Sequence, residues 1–176
     1  MKIPFTLSIL FFSHFAYSAN CPPILDRTIT TLQGEKINLC RYAGKPILVV
    51  NTASKCGYTP QFEQLENMYG KYQTQGLLVL GFPSNDFNQE LTHNGEIAKF
   101  CKLTYKVKFP MSEPSKVTGK NASAFYKVLA KTTGVEPQWN FHKYLIAPDG
   151  KTIYSFPSEV EPDNPAILNK VVEMLK

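Results

Sequence analysis

The sequence lacks several features that define other classes of protein. It contains no internal repeat, no low-complexity tract and no long linker rich in proline, glycine or serine. No two of its cysteines have Cys-x-x-Cys spacing, and no group of cysteines and histidines has the spacing of a zinc site. These absences argue against a repeat protein, a flexible multidomain protein and a zinc module.

Charge of one sign is not concentrated anywhere in the chain either. The net charge is +5 with a pI near 9.0, but the lysines are scattered. The densest group consists of Lys99, Lys102, Lys106 and Lys108. Apolar residues such as Phe100 and Leu103 interrupt it, which favours a solvated helix face over a nucleic-acid-binding stripe. We therefore expect no nucleic-acid partner.

Residues 1–18 have the pattern of a secretory signal peptide. Lys2 supplies positive charge, the run to Phe15 is mainly apolar, and small residues precede a cleavage site after Ser18. The apolar run is short for a membrane-spanning helix. We expect a periplasmic or secreted protein whose residues 19–176 form one domain, since 43% hydrophobic residues suit a single full core.

Export changes the interpretation of the four cysteines, because disulfides persist in oxidising compartments. Four cysteines allow three pairings, and sequence alone does not choose between them. Cys21 and Cys40 lie on either side of a predicted hairpin, which favours a structural pair but leaves two unpaired thiols as an alternative. Pairing of these two leaves Cys56 and Cys101 for chemistry.

Hydrophobic periodicity predicts an α/β domain. Two short strands within Thr28–Leu39 form an N-terminal hairpin, and the buried strands Ile47–Val50 and Leu77–Phe82 enclose a helix. A strand, helix, strand unit of this kind has parallel strands and a right-handed crossover. Further helices are predicted near Asn94, over Ala122–Lys131 and from Pro165, with a hairpin of Tyr144–Ala147 and Thr152–Phe156 before the last helix. This order predicts a thioredoxin-like layout, a mixed central sheet with helices on both faces.

Cys56 lies in the loop between the first buried strand and the helix that follows it. Thr59 is a candidate N-cap and Pro60 a candidate first helical residue. The positive end of the helix and the neighbouring Lys55 both favour a thiolate, so Cys56 is a candidate nucleophile. A buried, inert structural cysteine is the alternative.

Four segments in register resemble the glutathione peroxidase family in its cysteine-containing, phospholipid-hydroperoxide-like form. They are Asn51–Thr59, Gly81–Phe87, Gln89–Glu90 and Trp139–Tyr144. The resemblance implies a thiol-dependent peroxidase that reduces hydrogen peroxide and organic or lipid hydroperoxides in the response to oxidative stress. The Cys56 thiolate becomes a sulfenic acid, and glutathione or a thioredoxin-like protein restores it. It also implies no bound cofactor and no metal.

The family surrounds its thiolate with a glutamine, a tryptophan and an asparagine as hydrogen-bond donors. By motif, Trp139 and Asn140 take two of these positions, but Asp86 stands at the glutamine position. An ionised Asp86 cannot donate a hydrogen bond, and its charge disfavours a nearby thiolate. Three alternatives stay open: Asp86 is protonated, acts through a neighbouring amide or water, or points away. Asn85 is a candidate replacement donor.

Cys101 lies on the helix that carries the resolving cysteine in thiol-recycled members of the family. Its spacing from Ile97 also suits a buried structural side chain, so both roles stay open. The other position at which some members have a cysteine is Ser84 here. The compact segment 116–139 lacks the insertion that the family uses for tetramer contacts, which predicts a monomer.

Two other classes of function stay open beside the peroxidase. One is an exported thioredoxin-like disulfide oxidoreductase, although Thr59 stands where a second cysteine of Cys-x-x-Cys is needed. The other is a non-enzymatic redox sensor. His93 and His142 are expected at the surface rather than as partners of a cysteine nucleophile.

Overall fold

The computed structural model describes residues 21–176. The strands are β1 (Thr28–Thr30), β2 (Lys36–Asn38), β3 (Ile47–Thr52), β4 (Leu78–Pro83), β5 (Lys143–Ile146) and β6 (Ile153–Phe156). The helices are α1 (Gln61–Tyr72), α2 (Asn94–Thr104), α3 (Ala124–Thr133) and α4 (Pro165–Met174). Each predicted strand and helix is present, with bounds shifted by a few residues.

The central sheet has the order β4-β3-β5-β6. Strands β3 and β4 are parallel and α1 connects them, whereas β5 is antiparallel to both β3 and β6. The separate hairpin β1-β2 precedes the sheet. The thioredoxin-like prediction is therefore confirmed. Since β3 and β4 are adjacent and parallel, the loops at their carboxyl ends lie at the same end of the sheet, where Cys56 lies.

Alternate residues of β3 divide the core into two layers. Leu48 and Val50 face the layer formed by α1, α2 and α4, and Ile47 and Val49 face α3 and the N-terminal segment. All six residues of β3 are buried, as expected of a central strand covered on both faces. Helices therefore lie on both faces of the sheet, and the end of β3 is held rigidly on each side.

The start of α1 differs from the prediction. The helix begins at Gln61, Pro60 takes the N-cap position, and no side chain caps the first turn. The Thr59 side chain turns back instead, so that its hydroxyl oxygen accepts a hydrogen bond from the Cys56 N–H at 3.1 Å. Thr59 thus shapes the cysteine loop rather than the helix, and the N-cap prediction is wrong in this respect.

Cys21 and Cys40 form a disulfide, which confirms the favoured pairing. Asp26 lies beside them, and these three residues are the one cluster of possible metal ligands within residues 21–176. Their two sulfur atoms are bonded to each other and are not free to bind a metal.

The predicted signal peptide and its cleavage site lie outside the described residues. Over that same range, no helix has both the length and the apolar composition needed to cross a membrane.

Candidate active site

Cys56 lies at the base of the loop between β3 and α1 and is 7% exposed. Its Sγ accepts a hydrogen bond from the backbone N–H of Tyr58 at 3.4 Å. The Cys56 N–H is itself held by Thr59, so the loop is fixed on both sides of the sulfur. The loop therefore presents a pre-oriented sulfur with one backbone donor already in place.

Asn51, the last but one residue of β3, holds the segment that carries Trp139 and Asn140. Its side-chain amide donates to the Trp139 carbonyl at 3.0 Å, and its own carbonyl accepts from the Phe141 N–H at 2.6 Å. Its N–H donates to the His142 carbonyl at 3.3 Å. Through these three hydrogen bonds, the fully buried Asn51 connects β3, which leads to Cys56, with the turn that carries Trp139 and Asn140.

The turn has an unusual backbone conformation at Phe141, whose φ is +63°. This left-handed conformation is rare for a bulky residue and persists only where the surroundings stabilise it. The Phe141 ring is fully buried and packs edge-on against Phe62, with ring centroids 5.2 Å apart. Core packing and the Asn51 hydrogen bond together hold Asn140 and Trp139 in place.

Gln89 and Glu90 join the same site from the loop after β4. The Gln89 carbonyl accepts from the Lys55 N–H at 2.9 Å, and the Glu90 carboxylate accepts from the Ser54 N–H at 3.0 Å. Burial raises the pKa of Glu90, although the hydrogen bonds from neighbouring residues oppose this shift. The two residues before Cys56 are therefore fixed by the Gln89–Glu90 dipeptide.

Trp139 forms one wall of a cleft of about 460 Å³ whose lining also includes Tyr58. The indole is 41% exposed and packs against Phe87, with ring centroids 5.4 Å apart. One lining residue, Tyr58, also binds the Cys56 sulfur through its backbone N–H, whereas Cys56 itself does not line the cleft.

The family model described as glutathione peroxidase matches residues 24–130 of this chain. A glutathione peroxidase of Lactococcus lactis subsp. cremoris is 46% identical over 143 residues, which are 78% of this chain and 91% of the relative. The thioredoxin/glutathione peroxidase BtuE of Escherichia coli is 35% identical over 173 residues, covering 84% of this chain and 94% of the relative. The chain belongs to the glutathione peroxidase family.

Solved structures agree with this membership. The crystal structure of Trgpx in its apo form has a TM-score of 0.69 and 34% identity, and the match covers 86% of this chain and 95% of that one. The protein is therefore a thiol-dependent peroxidase of thioredoxin-like fold.

Asp86 of this glutathione peroxidase does not join the group around Cys56. One carboxylate oxygen forms an ion pair with Lys116 at 2.8 Å, and the other accepts from the N–H groups of Val117 and Thr118 at 2.7 and 3.2 Å. Burial alone would raise the pKa of Asp86, but these hydrogen bonds together lower it. Of the three alternatives, the structure thus matches the one in which Asp86 is ionised and directed elsewhere.

Cys101 is enclosed in the core layer beneath α2 and is 3% exposed. Burial, reinforced by the nearby Glu90 carboxylate, raises the pKa of its thiol to about 12. A thiol with such a pKa is protonated at neutral pH and is a weak nucleophile. In this conformation Cys101 is a core residue of the peroxidase.

The expectation that His142 lies at the surface is wrong, whereas His93 is exposed as expected. His142 is 2% exposed, and its Nε2 lies 2.8 Å from the hydroxyl of Ser155. Burial and the adjacent Lys143 lower the pKa of His142 to about 4, so the imidazole is neutral at neutral pH. It lines the floor of the Trp139 cleft as a neutral polar group.

Sequence reasoning did not assign roles to two residues that organise this peroxidase site. Asn51 is the first residue of the segment Asn51–Thr59, and Gln89 is the first residue of Gln89–Glu90. Both residues therefore belong to the segments that resemble the family. Their partners, Trp139 and Asn140, are distant in sequence. The sequence has one local signal for Asn51: it directly follows the apolar strand residues Ile47–Val50. A buried amide at such a position needs a hydrogen-bond partner.

Proposed function

We propose that Cys56 is the peroxidatic residue of this thiol peroxidase. Its thiolate attacks one oxygen of the hydroperoxide, the O–O bond breaks, and the other oxygen leaves as an alcohol or water after taking up a proton. The sulfur is oxidised to a sulfenic acid and the peroxide is reduced. The observation that best supports this role is the backbone hydrogen bond to Sγ in a loop fixed from both sides.

Trp139 and Asn140 are the proposed side-chain partners of the sulfur. The indole N–H is a donor only, and the carboxamide has two N–H donors, so both suit an anionic sulfur. Support comes from the ties that hold their turn to the end of β3, the strand leading to Cys56. Donors held in place before the reaction stabilise developing charge without reorganising.

The decisive experiment is peroxide consumption by the mature protein with thioredoxin or glutathione as the reductant. Wild type is expected to consume hydrogen peroxide and cumene hydroperoxide, and Cys56→Ser is expected to have no activity above background. Cys101→Ser removes the other free thiol and is the matched control, which is expected to keep the wild-type rate. Peroxide loss that survives Cys56→Ser contradicts the proposal. Insulin reduction without peroxide turnover would support a disulfide oxidoreductase instead.

Recovery of the thiol needs two reducing equivalents. The first thiol attacks the sulfenic sulfur, releases water and leaves a disulfide, and a second thiol then displaces Cys56. We propose that an external thiol performs the first step directly, because Cys101 is buried with a raised pKa. Reduction through Cys101 requires α2 to leave the core first. The relative BtuE carries both thioredoxin and glutathione in its name, so both reductants are tested.

Cys101→Ser separates the two routes. With an external thiol as the direct reductant, the variant turns over at the wild-type rate, and mass spectrometry of peroxide-treated wild type finds no Cys56–Cys101 disulfide. If Cys101 resolves the sulfenic acid, the variant accumulates sulfenic acid at Cys56 and loses turnover with thioredoxin.

Substrate range, assembly and location are further parts of the proposal. The open cleft at Trp139 suits bulky organic hydroperoxides as well as hydrogen peroxide, and the absence of a tetramer insertion in 116–139 suits a monomer.

The Cys21–Cys40 disulfide suits an oxidising compartment outside the cytoplasm, and Cys21 lies three residues beyond the predicted cleavage site. N-terminal sequencing of the exported protein is expected to begin at Ala19.

A further inference from the structure

The cleft at Trp139 is lined mostly by apolar or uncharged residues. Tyr58 and Val135 contribute apolar surface beside the indole. In the described part of the chain, the lining contains no lysine or arginine, and its one acidic residue is Glu159. The cleft is therefore a space of about 460 Å³ suited to an organic group, with a single carboxylate in its wall.

Glu159 acts electrostatically on the floor of this cleft. Burial lowers the pKa of His142 and of Lys143, and the Glu159 carboxylate opposes both shifts. Neither residue balances the carboxylate for a ligand: His142 is neutral at neutral pH, and Lys143 donates to two backbone carbonyls from outside the lining. A ligand in the cleft therefore meets the charge of Glu159 with no cationic side chain among the described lining residues.

The loop that carries Glu159 is fixed at the residue before it. Ser158 is buried, and its carbonyl accepts from Lys143 Nζ at 3.1 Å and from Gln61 Nε2 at 2.8 Å. Lys143 begins β5, and Gln61 begins α1, the helix that follows Cys56. These two hydrogen bonds hold the loop relative to both elements, so the backbone of Glu159 has a defined place beside the cysteine loop.

We propose that Glu159 is a specificity residue of this peroxidase: it favours uncharged organic hydroperoxides over those that carry a carboxylate on the organic group. The inference rests on the proposed reaction at Cys56 and on the cleft at Trp139 as the place of the organic group. A carboxylate in the cleft is repelled by Glu159, and it loses water without gaining a cationic partner. An uncharged group of the same shape meets neither penalty.

The test compares two hydroperoxides that differ in charge but little in shape: cumene hydroperoxide with a para-carboxylate, and the methyl ester of that compound. Quenched-flow mass spectrometry gives the second-order rate constant for oxidation of Cys56 by each. The ratio of the ester rate to the carboxylate rate is divided by the same ratio for free cysteine, which removes differences in intrinsic reactivity. We expect a ratio of roughly three to ten for wild type, the size of one like-charge interaction near a protein surface.

Substitutions at Glu159 separate charge from shape. Glu159→Gln keeps the size of the side chain and removes its charge, so the ratio is expected to fall to about one. Glu159→Lys places a cation in the wall, and the preference is expected to reverse toward the carboxylate. The side chain is exposed, so both variants are expected to fold. A role of Glu159 in folding alone changes both rates together and leaves the ratio as in wild type.

Glu161→Gln is the matched control on the same loop. It makes the same change in net charge, but Glu161 does not line the cleft, and its carboxylate accepts from Gln64 at 3.0 Å. This variant is expected to keep the wild-type ratio. A ratio of about one in wild type, an unchanged ratio in Glu159→Gln, or an equal change in Glu161→Gln overturns the inference. Failure of the peroxidase proposal itself is recognised separately, because wild type and Cys56→Ser then consume hydrogen peroxide equally.

Discussion

Lys143 is a charged residue placed entirely inside the protein. It begins β5, is fully buried, and donates from Nζ to the carbonyls of Ser158 and Val160 at 3.1 and 2.6 Å. Burial lowers its pKa to about 7, although Glu159 and Glu161 oppose the shift. These contacts hold the loop that forms one side of the Trp139 cleft. The long stem of the lysine fills the core, while its amino group donates to two backbone carbonyls.

Lys143→Met is expected to flatten the pH dependence of stability. Between about pH 7 and the ordinary lysine value of 10.5, the unfolded chain binds the proton that the folded protein has released. The free energy of unfolding of wild type therefore rises with pH in this window, by about 1 kcal/mol per pH unit from this group. Urea unfolding at pH 7.5 and 9.5 measures the slope. The exposed lysine variant Lys127→Met keeps the wild-type slope, and an equal slope in Lys143→Met contradicts the assignment.

At the scale of elements, the carboxyl end of β3 does more than deliver Cys56 to the edge of the sheet. The strand is parallel to β4 on one side and antiparallel to β5 on the other. The pairing of β3 with β5 ends at Val50, and the next residue, Asn51, forms three hydrogen bonds with the Trp139–His142 turn. The strand end thus fixes the cysteine loop and the Asn140 turn relative to each other, which is the requirement for a pre-organised site.

Asn51→Ala is expected to lower peroxidase activity by a larger factor than the accompanying loss of folded protein accounts for. Loss of the amide leaves the Trp139 carbonyl without its donor, which costs about 1–3 kcal/mol of stability and loosens the turn. Thr52→Val is the matched control, because the Thr52 hydroxyl is buried without a partner and valine has the same shape. Steady-state peroxide turnover and thermal unfolding of both variants test this. Equal activity in the two variants shows that Asn51 does not position the turn.

At the scale of the whole molecule, two kinds of cysteine occupy separate regions. Cys21 and Cys40 join the N-terminal segment to the end of the first hairpin, while Cys56 and Cys101 are free. The N-terminal segment also packs against the β5-β6 turn, where Pro22 lies so close to Gly150 that a side chain there would clash. The disulfide therefore joins the N-terminal segment to the hairpin, and in the mechanism that we propose it takes no part in the redox chemistry at Cys56.

Removal of this disulfide is expected to lower stability and leave activity intact. The bond closes a loop with a sequence separation of 19, so the double variant Cys21→Ala/Cys40→Ala should lose about 3 kcal/mol of unfolding free energy. Peroxide turnover by the folded variant should equal that of wild type, since neither cysteine contacts the active site. Denaturant unfolding and the peroxidase assay measure the two effects. A loss of turnover in protein that remains folded would assign the disulfide a catalytic role.

The sequence by itself determined the order of strands and helices, because hydrophobic periodicity is a local property and each element here follows it. It also located Cys56, since a buried strand such as Ile47–Val50 followed by Pro60 defines a loop within a few residues. The Cys21–Cys40 pair was favoured for the same reason, the position of a local hairpin between them.

Only the tertiary structure decided which polar groups meet. Asp86 and Gln89 are three residues apart, yet the first is held by Lys116 and the second by Asn140. His142 and Lys143 are both buried, and Lys143 donates to the carbonyl of Ser158 in a distant loop. Such contacts depend on how distant loops close over the sheet and on how each buried donor finds an acceptor. No pattern within a short stretch of sequence contains that information.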